Sequence, residues 1–463
     1  MLGGCIPSLV TPEPGLDVPD SYRLSGLKGG LQDHATDWWR TFRSPELTKF
    51  MEETETANLD VAAAVGQIEQ ADALARQSGA ALFPSITAND SVTRSKSSTN
   101  TVSGGSSIAT GSTLGSPRTD LVASFSASYQ LDFWGRNRAS YKAAQENATA
   151  SRWNRQTVQL TSLASTATTY YNVLAARERV AFARQNIKDS NRILKLIQDR
   201  LSAGTATELD LAQQAALVAN LKASIPPLQV DVEQNLAALA VLVGRAPERI
   251  EVVGKSVLNA PVPVIAPGIP SEVLTLRPDV EYAESNLASA HANLVAARAA
   301  FFPTLTLTTQ GGFESLALKT LFSPASTFYT AAFSLAQPIF DAGLLQGQYD
   351  QQKGVQDQLL AEYRKAVINA FADVDKALAA LRLYAQQEEL TRQSLAASRK
   401  AYQLSEQRLR EGVLDVVTLL QTEQTLFTTQ DTLVQVRLLR LTAAVSLYQA
   451  LGGAYSGKAK GGT

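Results

Sequence analysis

Four stretches of the chain alternate between apolar and polar residues with a period of two. That is the period of a strand whose two faces meet different surroundings. The clearest is "DLVASFSASYQLD" at 120–132. Leu121, Ala123, Phe125, Ala127, Tyr129 and Leu131 point one way, while Val122, Ser124, Ser126, Ser128, Gln130 and Asp132 point the other. Apart from Val122, the second face is too polar for a protein core, and the first is too apolar for water. The pattern predicts strands over 82–94, 120–133, 303–314 and 327–340. Such strands are about twice the usual length. One apolar face, one polar face and about ten residues per pass describe a transmembrane barrel strand, with lipid outside and water inside. Phe83, Phe133, Trp134, Phe301, Phe302 and Phe340 fall at strand ends, where an interfacial aromatic girdle would sit. The other reading of the pattern is a solvated antiparallel sheet packed on a helix.

Between the strands the period becomes helical. Helices are predicted over 44–78, 136–202, 206–242, 271–299, 343–410 and 414–450. The two longest would each run roughly 100 Å at 1.5 Å per residue. Leu160, Leu163, Ala167, Tyr170 and Leu174 step by three and four, as do Phe371, Val374, Leu378, Leu381 and Ala385. This is the spacing of a coiled-coil seam. Ile187, Leu194 and Leu201 step by seven, and Leu395, Tyr402 and Leu409 repeat those steps 208 residues later.

The repetition is general. "LSAGTATELDLAQQ" (201–214) recurs as "LREGVLDVVTLLQT" (409–422), with Gly204 and Gly412 offset by 208. Phe83-Pro84 and Phe302-Pro303 each mark a helix-to-strand switch, offset by 219. Proline lacks an N–H and biases the residue before it away from helix, so each Phe-Pro is expected to end a helix where the sheet begins. The chain is therefore an internal duplication. The surplus residues of the first copy fall in 95–119, a Ser/Thr/Gly-rich loop. The expected layout is a lipid-anchored extended tether over 1–43, a first repeat over 44–248 and a linker over 249–270. A second repeat covers 271–452 and a flexible tail 453–463.

Four strands cannot close a barrel, since about eight is the smallest that leaves a filled interior. An open edge is not tolerated in lipid. Other copies of the chain are expected to complete the sheet. Three copies give twelve strands and a hollow lumen, continued by the long helices as a tube. The predicted class is an α+β membrane protein.

Composition narrows the function. The net charge of −1 offers no basic field for nucleic acid. Only 18% of residues are charged, below a soluble average near 25%. "LAALAVLVG" (236–244) is among the longest apolar runs, too short for a membrane helix. His34, His291 and Cys5 are too few and too scattered for a His–Cys pair or a His/Cys metal cluster. No Gly-rich phosphate loop follows a strand. Asp373 and Asp375, two apart, face different sides of a helix and make no acid–base pair. Met1 and Met51 alone argue against a thioether path for Cu(I). No catalytic residue, metal ligand or cofactor is assigned.

Leu2-Gly3-Gly4-Cys5 matches the small-residue pattern before a lipid-modified bacterial cysteine, and "IPSLVTPEPGLDVPDSYR" after it suits a tether. Cys5 is the expected lipidation site. The charged start and apolar run of a full signal do not stand before it in the sequence.

The motifs "LRPDVEYAESNLASAHANLVAARAAFFPTLTLT" (276–308), "YQLDFWGRNRASYKAA" (129–144) and "AQPIFDAGLLQG" (336–347), with the Gly-centred turns at Gly204 and Gly412, resemble the TolC-like outer-membrane efflux channels. The likeness is closest to their lipoprotein branch paired with resistance–nodulation–division pumps, and it covers nearly the whole chain. It implies a homotrimeric, lipid-anchored duct in the outer membrane with a periplasmic extension. Its implied partners are outer-membrane lipid, a periplasmic adaptor (membrane fusion) protein and an inner-membrane pump, and its implied role is a passive exit for small molecules. Arg277-Pro278-Asp279 matches the family's RPD signature, expected to start and cap a helix.

The resemblance also implies a gate and adaptor contact at the hairpin tips, which hold Gly204, Glu208, Asp210, Arg408, Arg410, Gly412 and Asp415. Asp210 is expected to pair with Arg408 or Arg410 of an adjacent hairpin. Relatives often read Leu-Asp-Ala-Gln where this chain reads Leu420-Gln421-Thr422-Glu423, which makes Asp415 the substitute candidate for an acidic ring. Within the channel class the alternative is the exit duct of a type I protein-secretion system. The lipoprotein-like start and the RPD signature favour small-molecule efflux. Outside that class stand a soluble periplasmic coiled-coil scaffold and an enzyme with a helical arm, the latter without a convergent polar pocket in the sequence.

Overall fold

The computed structural model describes residues 15, 37–96, 98, 117–265, 274 and 276–454. Cys5, the C-terminal tail beyond residue 454 and most of the 95–119 loop lie outside the described residues. Each half carries a helix, two strands and two long helices in the same order, and the first half has one further helix at its start. The first holds α1 (Pro45–Ala57), α2 (Leu59–Ala80), β1 (Ser85–Ser95), β2 (Arg118–Leu131), α3 (Arg136–Ser202) and α4 (Glu208–Leu242). The second holds α5 (Pro278–Ala299), β3 (Thr304–Ser315), β4 (Thr327–Ala336), α6 (Leu344–Arg410) and α7 (Val416–Ala450). The long helices α3 and α6 are equal at 67 residues, and so are α4 and α7 at 35. The duplication read from sequence is therefore a duplication of structure.

Two boundaries differ clearly from expectation, each for a local reason. The helix expected over 44–78 breaks at Asn58, whose backbone is extended (φ −66°, ψ 128°). Its side chain holds the break: Oδ1 accepts from the N–H groups of Asp60 and Val61 at 2.9 and 3.0 Å, and Nδ2 donates to the carbonyl of Leu242 at 2.8 Å. The strand expected over 327–340 ends at Ala336, because Pro338 has no N–H for a ladder. Helix α5 is described from Pro278, a residue suited to a first helical position, where its missing N–H is no loss; Leu274 and Leu276 before it are also helical, and the expected start at 271 lies outside the described residues.

The chain divides into two compact units. Among the described residues, one falls within 70–148 and 285–360, the other within 14–69, 149–284 and 361–463. The first contains the sheet, antiparallel throughout in the order β1-β2-β3-β4.

The second unit has an aromatic core. Trp38, Trp39 and Phe42 are almost wholly buried, and they form a short 3-10 turn, Trp38–Phe42. Trp38 stacks on Tyr448 with ring centroids 5.1 Å apart, and Phe42 tilts against Tyr171 at 5.7 Å. This corrects the extended tether over 1–43, whose last residues are core. Their sequence "DWWRTF" carries enough apolar surface to require burial. The linker after α4 is strapped onto the same core by carboxylates. Glu46 accepts from the N–H groups of Val253 and Gly254, and Glu178 from those of Val257 and Leu258. Arg177 and Arg437 donate to the carbonyls of Val252 and Ala260. The strap satisfies backbone groups that have no ladder or helix to pair with.

Arg277 of the RPD signature does more than begin a helix. Its guanidinium grips Asp279 with two bonds, at 2.9 and 2.6 Å. It also reaches Asp373 of α6 at 3.3 Å and the carbonyl of Ala450, at the end of α7, at 3.1 Å. One buried fork thus joins the start of α5, the flank of α6 and the last turn of α7. Only arginine has the donors for all three.

Candidate functional site: the sheet and the hairpin tips

The alternation seen in β2 continues across the whole sheet. Phe125 lies opposite Ala88 of β1 and Gly311 of β3, and Gly311 lies opposite Tyr329 of β4. By the same register, Ile86, Ala127, Tyr129, Leu305, Leu307, Phe333 and Leu335 share the face of Phe125. Within one chain that face has no cover: Phe125 is 68% exposed and Tyr329 87% exposed. Its charged residues are Asp90, at the middle of β1, and Arg94, at its loop end. The opposite face is a hydrogen-bonded polar layer. Ser126 meets Thr87 at 2.7 Å and accepts from Asn89 at 2.9 Å; Gln310 donates to Ser124 at 3.1 Å. Gly312 sits in this layer opposite Ser124, where a Cβ would lie 2.2 Å from the carbonyl of Ala123. Only glycine fits there.

Both Phe-Pro junctions are built alike. The helices end three residues before the phenylalanine, at Ala80 and Ala299, not at the proline itself. A tightened turn fills the gap, with Phe83 N–H donating to Ala80 and Phe302 N–H to Ala299. Pro84 and Pro303 then stand immediately before Ser85 and Thr304, the first strand residues. Phe302 stacks on Trp134 with centroids 4.8 Å apart, and Trp134 Nε1 donates to the carbonyl of Pro303 at 2.7 Å. Phe83 and Phe340 are largely exposed, as a girdle residue should be in one isolated chain.

The opposite corners, from strand back to helix, lie in two of the motifs that carry the family resemblance, but no role was read for their aspartates. Asp132 accepts from the N–H groups of Asn137 and Arg138 at 3.1 and 2.9 Å, capping α3. Asp341 accepts from those of Gly343 and Leu345 at 3.0 and 2.9 Å, capping α6. The N–H groups of Leu345 and Gly343 hold the Asp341 carboxyl below its usual range. The readable signal was an aspartate shortly before a glycine in both copies, "DFWG" and "DAG".

At the tips, Gly204 and Gly412 take left-handed backbone angles (φ 71° and 78°). Each closes its helix with the same pair of bonds. Thr205 and Gly204 donate to Arg200 and Leu201, and Val413 and Gly412 donate to Arg408 and Leu409. The following helices begin on Thr207 and Asp415. Thr207 and Asp210 form a reciprocal capping box, with Asp210 Oδ2 accepting from Thr207 N–H at 2.9 Å. Asp415 accepts from Thr418 N–H at 2.7 Å and from the Thr418 hydroxyl at 2.8 Å, which hold its carboxyl below its usual range.

The expected pairing of Asp210 with Arg408 or Arg410 is not made within the chain. Asp210 is committed to its own helix start, and Arg410 turns one helical step back to Glu406 at 2.6 Å. A local partner four residues away costs less chain ordering than one on another hairpin. Among the described residues Arg408 and Glu208 make no side-chain hydrogen bond or ion pair. The hairpins are instead joined by residues missed in sequence: Arg200 donates to the carbonyl of Leu409 at 2.6 Å, and Arg192 pairs with Glu406 at 3.1 Å. The seam here also lies one residue off the expected one. Asn186, Ser190, Ile193 and Ile197 of α3 are buried, while Ile187, Leu194 and Leu201 are half-buried flanks.

Among the described residues no group of three or more His, Cys, Asp or Glu could hold a metal. His291 Nδ1 lies 3.0 Å from Gln356 Nε2 in the sheet-bearing unit. No described helix is long and apolar enough to cross a membrane.

The chain matches the model of the outer membrane efflux protein family over residues 51–245 and 269–453. It is 36% identical to the pyoverdine export outer membrane protein OpmQ of Pseudomonas aeruginosa, covering 100% of this chain and 96% of that one. It is 30% identical to the toluene efflux pump outer membrane protein TtgC of Pseudomonas putida, covering 98% of this chain and 94% of that one. The solved open state of the Neisseria gonorrhoeae MtrE outer membrane channel superposes with a TM-score of 0.83 at 27% identity, over 97% of this chain and 98% of that one.

Proposed function

The chain belongs to the outer membrane efflux protein family, and from that membership we propose how its parts work. It is the outer-membrane channel component of a tripartite efflux system, and not an enzyme. Three copies each supply four strands to one twelve-stranded barrel. A periplasmic adaptor connects the channel to an inner-membrane resistance–nodulation–division pump, which supplies the energy. The observation that carries this reading is the sheet: β1 and β4 each have one unpaired edge, and one face is mostly apolar, with Asp90 and Arg94 of β1 as its charged residues. Lipid covers the face, and neighbouring copies pair with the edges.

The polar layer of Thr87, Ser124, Ser126 and Gln310 lines the water-filled side. The turns at Gly204 and Gly412 form the periplasmic constriction and the adaptor contact. Arg200 and the Arg192–Glu406–Arg410 chain hold the two hairpins of one copy together there. Arg408 and Glu208 remain for the adaptor or the next copy. An exposed pair is worth about 0–1 kcal/mol, but threefold repetition biases a marginal gate. Pyoverdine and toluene, named for two relatives, differ in chemistry. We therefore assign cargo choice to the pump and a broad small-molecule passage to this duct. Cys5 carries lipid in the mature protein, as the Leu-Gly-Gly-Cys start indicates. Intact mass after expression with a full signal should exceed the polypeptide by the acyl groups, and a free thiol would refute this.

Planar-bilayer recording tests the duct. The purified protein should give discrete, long-lived conductance steps, and Arg200→Ala or Glu406→Ala should enlarge them. Absence of any conductance from a correctly folded protein would refute the channel reading. Unchanged conductance in both variants would leave the duct and remove the constriction.

A further inference from the structure

Two buried carboxylates lie among the helices behind the tips, and they are treated differently. Glu406 of α6 is met by two guanidinium groups, Arg192 at 3.1 Å and Arg410 at 2.6 Å. Glu423 of α7 is fully buried, and no cation pairs with it among the described residues. Its partners are neutral. The hydroxyl of Ser190, on α3, donates to its Oε1, and Gln214 Nε2, on α4, lies 3.4 Å from its Oε2. Ser190 and Gln214 are themselves fully buried. Gln214 also donates to the carbonyl of Ser190 at 3.1 Å, so the three side chains join three helices in one cluster.

The cluster is short of donors. Gln214 Oε1 is buried with no hydrogen-bond partner. Ile193, Ile197, Leu419 and Leu426, on α3 and α7, form a buried apolar cluster. The charged and titratable groups facing Glu423 are Asp189 on α3 and Tyr402 and Glu406 on α6, with Arg192 of α3 set against Tyr402 and Glu406. Arg192 is engaged by Glu406, and the remaining neighbours add negative charge or none. An ionised carboxylate buried beside neutral donors and other acids is costly, whereas the neutral acid adds the donor that the cluster lacks.

We propose that Glu423 is a proton-operated latch: neutral, it ties α7 to α3 and α4, and ionised, it is an unpaired buried anion that loosens their packing. Burial pushes its carboxyl above the usual range, and the bonds from Ser190 and Gln214 only partly oppose that. The sign follows. A carboxyl raised in the folded state favours the packed state at low pH, and that contribution is lost as pH rises through the raised value. Glu423 lies eight residues beyond Asp415, the cap of its helix. The latch would therefore set how firmly the hairpin ends are held. Its consequence for conduction rests on the duct reading above; the latch itself does not.

Hydrogen exchange on the purified full-length protein tests it. Peptides covering 186–218 and 416–430 would be followed from mildly acid to mildly alkaline pH, with intrinsic exchange rates divided out. One titrating group changes an opening equilibrium by at most about ten-fold per pH unit. Wild type should lose protection toward that slope as pH rises, and Glu423→Gln should stay protected and flat. Ser190→Ala, which removes one donor to the carboxylate, should move the loosening to higher pH; this variant also decides the matter where Glu423→Gln fails to assemble. A flat wild-type profile overturns the latch, as does the same slope in Glu423→Gln or an unmoved midpoint in Ser190→Ala. Conductance recorded over the same range separates the two readings. Loosening with unchanged conductance upholds the latch and removes the constriction.

Discussion

The two compact units of this chain finish their packing in different ways. The unit around Trp38, Tyr171 and Tyr448 completes its core within one copy, and even its linker is strapped down by Glu46 and Glu178. The unit that carries the sheet leaves Phe125, Tyr329 and Phe333 uncovered and both strand edges open. The first buries this core without help from another copy. The second makes sense only with lipid on one face and further strands at its edges. One sequence therefore contains a part that specifies itself and a part whose structure depends on its surroundings.

That contrast can be broken from either side. The largest effect is expected in the self-contained core. Trp38→Ala removes a ring stacked on Tyr448 and should cost about 3–5 kcal/mol, measured by chemical unfolding followed through tryptophan fluorescence. A small cost would mean that the 3-10 turn is only laid over the surface.

Glu388 sharpens the same side. It is 1% exposed and is met by Arg437 at 2.9 Å, Arg440 at 2.9 Å and Arg392 at 2.6 Å. Glu388→Gln leaves these guanidinium groups without their anion and should cost about 3 kcal/mol or more in the same unfolding assay. Burial alone would raise its carboxyl, but the bonds from Arg440 and Arg437 outweigh burial and lower it. Its contribution is thus in place above the ordinary carboxylate range and is lost only as pH falls through its own lowered value. Wild type and Glu388→Gln should converge in stability under strong acid, the reverse of the sense argued for Glu423.

On the sheet the sensitivity should depend on face. Phe125→Arg, on the lipid side, should cost roughly 2–4 kcal/mol per copy, read from refolding into lipid vesicles. Ser126→Ala, one residue away on the water side, gives up hydrogen bonds that water can replace and should cost under about 1 kcal/mol. Equal costs would contradict the alternation. The smallest of the helix effects belongs to the tip cap: Thr207→Ala should cost about 0.5–2 kcal/mol of local stability, seen as faster hydrogen exchange in the first turns of α4.

Much of this was written in the sequence in the form that repeats most simply. The strands were legible because a period of two persists for ten or more residues, and the duplication because the same glycines and Phe-Pro pairs recur. Trp38, Trp39 and Phe42 were read as tether because a single apolar cluster after a Pro-rich stretch has no period. Asn58 was missed because its break is made by a side chain reaching Leu242, far away in sequence. The contacts the tip charges make within the chain were not legible for a related reason. Sequence shows which charges are near a turn, but only geometry shows that Asp210 and Asp415 are engaged as helix caps and that Arg200 and Glu406 join the hairpins. Glu423 was noted only as a departure from the family pattern, and its burial depends on three helices meeting.

The central claim is that four strands per chain are an incomplete barrel. Native mass spectrometry of the detergent-extracted protein measures that most directly. The account predicts one dominant species of three chains, twelve strands in all, that persists at low protein concentration. A stable monomer that retained its strand content and remained in solution without detergent would contradict it.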